Sequence, residues 1–168
     1  MHVTSTLPCE AGVQDWSEWA VQISKWASAY YASEGRTWSQ ARIEVAPFER
    51  EDLRLVSYGR GMMFSANLDA AIRAGSEGKR NLLGALRPLF EARRDGQPIT
   101  MARWETWLRE AGGDASIAAF RRTVLVGELI APEPDAFSST LEAVPTSDVA
   151  SGSTASGYKW RVRIPAPR

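Results

Sequence analysis

Apolar residues recur at Trp16, Trp19, Ile23, Trp26 and Tyr30, in steps of three, four, three and four. That is one face of a long helix. Asp15, with Glu18 three residues on, has the form of a capping box at its start, and Gly35 is a natural stop. A helical stripe of tryptophans reads as core rather than as a sugar-stacking platform. Thr37 and Gln40 suit a short helix through Ile43, which Ala46-Pro47 breaks because proline disfavours helical backbone in the residue before it. The stretch 48–56 is mixed and charged, with Leu53 and Val56 as its apolar contacts, and reads as a connector or short helix. The central helix is then expected to open on Ser57 as N-cap, to bury Tyr58, Met62, Leu68 and Ile72, and to end at Gly75.

Beyond it, Asn81 opens a helix with Leu82, Leu86, Leu89 and Phe90 on its inner side, bent or delayed by Pro88. Asp95-Gly96-Gln97-Pro98 is a turn. Thr100 caps a helix over 101–111 with Trp104, Trp107 and Leu108 as its buried edge, Gly112-Gly113 ends it, and 115–126 forms a last helix with Ile117, Phe120 and Val124 inward. The composition then changes. Pro132, Pro134 and Pro145 punctuate the chain, and 146–157 is rich in Ser, Gly, Thr and Ala, as flexible loops are. Residues 158–164 alternate strictly, with Trp160, Val162 and Ile164 on one face and Lys159, Arg161 and Arg163 on the other, which is the pattern of a half-buried strand. Its partner is expected at 139–144. The chain is thus expected to be mainly α, with four to five packed helices and a short C-terminal β-ribbon. The expected organisation is a flexible N-terminus (1–14), a helical domain (15–130), and a proline/serine-rich loop with a β-ribbon packed on the helices (131–168).

Twenty basic and twenty acidic residues cancel in the 168-residue chain. With no net charge to attract a polyanion, the pairs Arg93-Arg94 and Arg121-Arg122 read as solvated helix faces, and no nucleic-acid partner is expected. The single cysteine, Cys9, excludes an internal disulfide. No stretch approaches the roughly 18 apolar residues of a membrane-spanning helix, so no membrane partner is expected. Residues 1–12 lack the basic start and apolar run of a signal peptide, so the chain is expected to be soluble.

A further pattern lies in Tyr58-Gly59-Arg60-Gly61, followed by Leu68-Asp69, Gly78-Lys79-Arg80-Asn81-Leu82, Ile99-Thr100 with Trp104, Gly112-Gly113-Asp114 and Phe120-Arg121-Arg122. In order and spacing this run, over 57–128, resembles the Tyr-x-Lys-Gly helix and the Gly-Lys-x-Ser-Leu segment of the glycyl aminopeptidase family, zinc metallopeptidases of the gluzincin type. The resemblance implies a peptidase-like helical domain in which Tyr58 would steady a tetrahedral oxyanion beside a zinc ion. There are departures. Arg60 stands where the family has lysine, keeping the charge but changing its geometry. The His-Glu-x-x-His helix that would supply two ligands and a general base is absent, and the one histidine is His2. Glu34-Gly35 is only loosely similar to the Glu-Gly-x-x-x-Tyr pattern of the third ligand, with Tyr30-Tyr31 on the wrong side of it, and no ligand is assigned there.

The expectation is therefore the helical half of a zinc aminopeptidase-like domain, a fragment or a degenerate relative, with no peptidase activity of its own. No cofactor is expected in this chain, zinc being the cofactor of the family it resembles. The alternative is a non-enzymatic helical protein-interaction module. Either way the partner is another protein or a second copy, meeting the face left by the missing half. An unrelated enzyme has little support: Asp69, Glu105 and Glu110 lie in helices where solvated faces are the default, and no histidine is placed to activate a serine.

Overall fold

The computed structural model of the chain describes residues 6, 8–46, 50–147 and 156–164. Asp15 begins the first long helix, α1 (Trp16–Ala32), its carboxylate accepting a hydrogen bond from Ser17 N at 2.7 Å. This bond, with the Ser17 side chain and Glu18 N–H beside it, holds the Asp15 carboxyl below its ordinary pKa. The core face is Trp19, Ala20, Ile23, Ala27, Tyr30 and Tyr31. Trp16 and Trp26 are half-buried on its margin, and Trp26 meets Trp19 edge-on with ring centroids 5.4 Å apart. The helix stops at Ala32, before Gly35, because the Ser33 hydroxyl accepts Gly35 N and starts a 3-10 helix (Glu34–Thr37). Ser39 then caps the short α2 (Gln40–Glu44).

Of the N-terminal stretch 1–14, residues 1–5 and 7 lie outside the described residues, as does His2 with them. Residues 8–10 make a helical turn, and Thr6 and Cys9 are buried.

The central helix, α3 (Glu51–Gly75), is 25 residues long and starts seven residues earlier than its sequence suggests. Ser57 is therefore interior to the helix, within hydrogen-bonding reach of Gln40, and caps nothing. The connector expected at 48–56 is helical from Glu51, where Glu51 and Asp52 favour the positive end of the helix and Leu53 and Val56 are buried. Arg50, at the N-cap position, offers no side-chain cap, which is why the start was hidden. The helix changes faces along its length. Leu53, Val56, Arg60 and Met63 are buried in the first half, while Leu68, Asp69 and Ile72 are buried in the second. At the crossing of α1 and α3 the backbones meet at Gly59, where a Cβ would come within 2.5 Å of Tyr30 Cβ.

Asn81 caps α4 (Leu82–Arg94) through its side chain to Gly84 N, with Pro88 inside the helix. Phe90, expected inward, is 59% exposed, and the buried positions are Leu82, Ala85 and Leu89. Thr100 caps α5 (Met101–Ala119), which is broken at Gly113 by a left-handed φ of 78° and runs into a π-helix (Phe120–Val126). Trp104 stacks on Trp107 at 4.7 Å and meets Phe120 edge-on, and Phe120 meets Phe64 of α3, so α3 and α5 are joined by an aromatic row.

An extended strap over 128–135 crosses back to α3. There Asn67 Nδ2 donates to Ala131 O and Asn67 Oδ1 accepts Glu133 N. The chain ends in an antiparallel ribbon of β1 (Leu141–Ser147) and β2 (Ser156–Val162), in register Leu141 with Val162. The loop expected at 146–157 is shorter at both ends, and its centre, 148–155, lies outside the described residues. The ribbon lies on α1: Trp160 is buried against Phe137, and Ser24 Oγ accepts Trp160 N at 2.8 Å. Ile164, expected on the buried face, is 80% exposed just past the strand end. The fold is mainly α with a short C-terminal β-ribbon.

Two outcomes follow from this packing. Gly59→Ala should lower stability by about 1–3 kcal/mol, because a methyl group inserted at a closed helix crossing forces the backbones apart; urea denaturation measures it. Burial pushes the Tyr30 and Tyr31 hydroxyls above their ordinary pKa. The unfolded chain ionises near pH 10 while the folded core stays protonated, so the stability these groups contribute is intact below about pH 10 and lost as pH rises beyond it. Tyrosinate absorbance should accordingly show two tyrosines ionising only together with the loss of circular dichroism.

Candidate functional site

Tyr58 lies in the third turn of α3 rather than the first, on the side that α4 covers further along the helix. In this half none of the described residues covers it. Tyr58 is 63% exposed, Leu55 is 41% exposed one turn earlier, and the Tyr58 hydroxyl has no hydrogen-bond partner among the described residues. The sequence expectation of a buried Tyr58 is thus corrected: the apolar spacing that includes it belongs to the α4-facing side, and α4 does not extend that far. What remains is a phenol and a leucine presented to solvent from a rigid, well-buried helix.

Directly behind Tyr58 is Arg60, which no solvent reaches. Its Nη2 donates to Trp38 O at 2.7 Å and Arg36 O at 3.1 Å, and its Nη1 donates to Val124 O at 3.3 Å. Two of these carbonyls lie at the end of the 3-10 helix and the third in the last turn of the π-helix. Such carbonyls have no partner inside their own helix and carry the negative end of its dipole. A planar fork of donors can serve three of them at once, which a lysine ammonium on a single stem does less well. The Tyr30 hydroxyl lies close enough to Ile130 O and the Arg60 charge to offset part of the upward push of burial, but by geometry neither it nor Arg60 Nε makes a hydrogen bond among the described residues. Sequence reasoning took Arg60 for a substituted motif lysine and missed this role. The signal was available, because Leu53, Val56, Arg60 and Met63 step three, four and three along one face.

Asp69 and Gly112, also of the motif, lie where helices meet. The Asp69 carboxylate accepts Leu82 N at 2.7 Å and Arg73 Nε at 2.8 Å, joining α3 to the start of α4. A Cβ at Gly112 would press on Leu68 Cδ1 at 2.9 Å, so α5 approaches α3 there at close range. Glu105 is held by a two-pronged bond to Arg121, at 2.9 and 2.7 Å, which lowers its pKa. Glu110 is exposed on α5. Asp69 and Glu105 are thus committed to arginines.

The donors present do not fit the zinc that the resemblance implies. Cys9 is buried among apolar side chains, and its thiol is pushed up by that burial and by Asp15, Glu10 and Glu18, which works against a metal-binding thiolate. Among the described residues no three of His, Cys, Asp and Glu come together in a set that could hold a metal ion. No helix of the described residues is long and apolar enough to cross a membrane. A concavity of about 610 Å³ lies elsewhere, between α3 and α5 beneath the strap, and is floored by small residues such as Ala71, Ala74, Ala115 and Ala119.

Comparison of the chain with protein-family models and with curated proteins finds no match.

Replacing Arg60 with methionine keeps most of its volume and leaves three part-buried carbonyls without their guanidinium donor. At about 1–3 kcal/mol for a group left unsatisfied, less where water can reach it, Arg60→Met should cost about 3 kcal/mol. Arg60→Lys should recover only part of this. Denaturant midpoints of the two variants provide the check.

Proposed function

We propose that this chain is the helical half of a zinc aminopeptidase-like domain, that it cleaves no peptide by itself, and that it acts as a scaffold presenting the Tyr58 face of α3 to another protein. One observation carries the proposal. Among the residues that make the resemblance, Gly59, Arg60, Leu68, Asp69, Leu82 and Phe120 are buried in helix packing, the polar and glycine positions at 78–81 and 113–114 are exposed at helix ends and at the break in α5, and Tyr58 is a large aromatic exposed in mid-helix with no hydrogen-bond partner for its hydroxyl among the described residues. A residue whose resemblance-based role is to meet a reacting group faces outward, as it would if the surface it serves were completed by something else.

The catalytic part of the motif is the part with nothing to act on. A hydrolytic zinc site takes about three protein ligands and a water whose pKa the ion lowers towards 7, with a general base beside it. The chain has one histidine and one cysteine, and among the described residues its carboxylates do not gather with another ligand into a group of three. The phenol of Tyr58 can donate a hydrogen bond to a developing oxyanion only where a nucleophile generates one.

A second reading, a helical interaction module with no remaining tie to peptidase chemistry, is favoured by Arg60. The side chain at the motif's lysine position is fully enclosed and spent on three main-chain carbonyls. That use is structural, and the scaffold would be retained for its packing alone.

Metal analysis of protein purified without added zinc, together with aminopeptidase assays on glycyl and alanyl substrates, tests the proposal. The expected outcome is zinc far below one ion per chain and no turnover. Tyr58→Phe should leave stability within about 0.5 kcal/mol of the parent, as is usual for an exposed side chain. Stoichiometric zinc with turnover abolished by Tyr58→Phe would overturn the proposal.

A further inference from the structure

The helix α4 is unlike its neighbours in what holds it. Its own sequence is weak: Gly84 and Pro88 fall within 13 residues, and each lowers helix propensity, glycine by about 1 and proline by about 3 kcal/mol relative to alanine. Pro88 has no N–H, so Gly84 O, four residues back, loses its partner in the helix ladder. The buried side chains are Leu82, Ala85 and Leu89, all on one edge, while Leu83 and Phe90 face solvent at 41% and 59% exposure. A cleft of about 370 Å³ separates α4 from α5, bounded by Gly84, Ala85 and Pro88 on one side and by Trp107, Glu110 and Ala111 on the other. The helix therefore does not rest closely on α5 along this side.

Two specific hydrogen bonds compensate. At the N-terminus, Leu82 N donates to the Asp69 carboxylate at 2.7 Å, and this bond is buried. One turn later, Trp107 Nε1 donates to Ala85 O at 2.6 Å, supplying a donor beside the place where Pro88 interrupts the ladder. Outside these latches the helix is bounded by Gly78 and Gly96, with φ of 78° and 76° and open space around each. Left-handed glycines at both ends allow the backbone to swing without a side-chain clash.

We propose that α4 is a flap, a unit that opens from α3 and α5 about Gly78 and Gly96 while the rest of the molecule stays folded, with the Asp69 carboxylate and the Trp107 indole as its two latches. Opening widens the cleft and uncovers the Trp107 ring together with the apolar seat of Leu82 and Leu89. Local opening of this kind draws on the least stable cooperative units of a structure.

Native-state hydrogen exchange followed by mass spectrometry tests the flap, with peptides from α3 and α4 compared in the same protein. The α4 amides should exchange at least about tenfold faster than the buried α3 amides when opening and closing are fast relative to exchange. Trp107→Phe, which removes one latch and keeps an aromatic ring, should speed α4 exchange relative to α3. Pro88→Ala, at an exposed position, restores the missing ladder bond and should slow α4 exchange while leaving α3 unchanged. Should α4 and α3 exchange together in the parent, or should Pro88→Ala leave the ratio between them unchanged, the proposal is overturned.

Discussion

A guanidinium group enclosed in the core must find oxygen atoms in place of water, since removing a charge from solvent costs several kcal/mol that hydrogen bonds have to offset. Arg60 finds them on the main chain, at 36, 38 and 124, and the order of the fold follows from that need. The 3-10 helix after α1 must end where α3 passes, and the π-helix after α5 must end at the same place. Gly127, just beyond the π-helix, takes a left-handed φ of 97° and has Trp38 O immediately beside it, with no room for a Cβ. Segments far apart in sequence are fixed to one side chain of the central helix. The clamp also sets the rotation of α3 about its axis, and Tyr58, two residues before Arg60, is turned outward in consequence.

Elements with a side-chain cap and a clean period were legible in the sequence. Asp15, Asn81 and Thr100 each hold the backbone N–H that their position implies, and the alternation around Trp160 is a strand with its partner close to where it was expected. The start of α3 was not legible, because Arg50 donates to Asp52 and Glu34 and leaves the helix end uncapped. Nor was the π-helix, since a local widening of the helical turn follows from tertiary contacts and leaves no separate period. Phe90 was misplaced for a similar reason: on a helix that touches its neighbours along a narrow edge, one residue beyond Leu89 is already outside.

The candidate site divides along the same line. The candidate residues, from Tyr58 to Arg122, were picked out by their order along the chain. What each one does could not, because a helix has two sides and the direction of burial changes between Met63 and Leu68. Asp69 is the clearest instance. As a sequence feature it was a carboxylate on a solvated face, and in the structure it reaches across to the first backbone N–H of the next helix.

The ribbon at the end of the chain bears on solubility. A two-stranded sheet has two open edges, and each is a template for recruiting a strand from another molecule. On β2 the outward N–H of Trp160 is occupied by Ser24, so α1 lies along that edge. On β1 the inward bond from Arg163 N to Thr140 O sets the alternation, and Pro145, paired with Tyr158, falls at a position whose N–H would point outward. Proline has none to offer. One edge is blocked by a helix and the other is interrupted at its middle, which protects the protein against edge-to-edge polymerisation at high concentration.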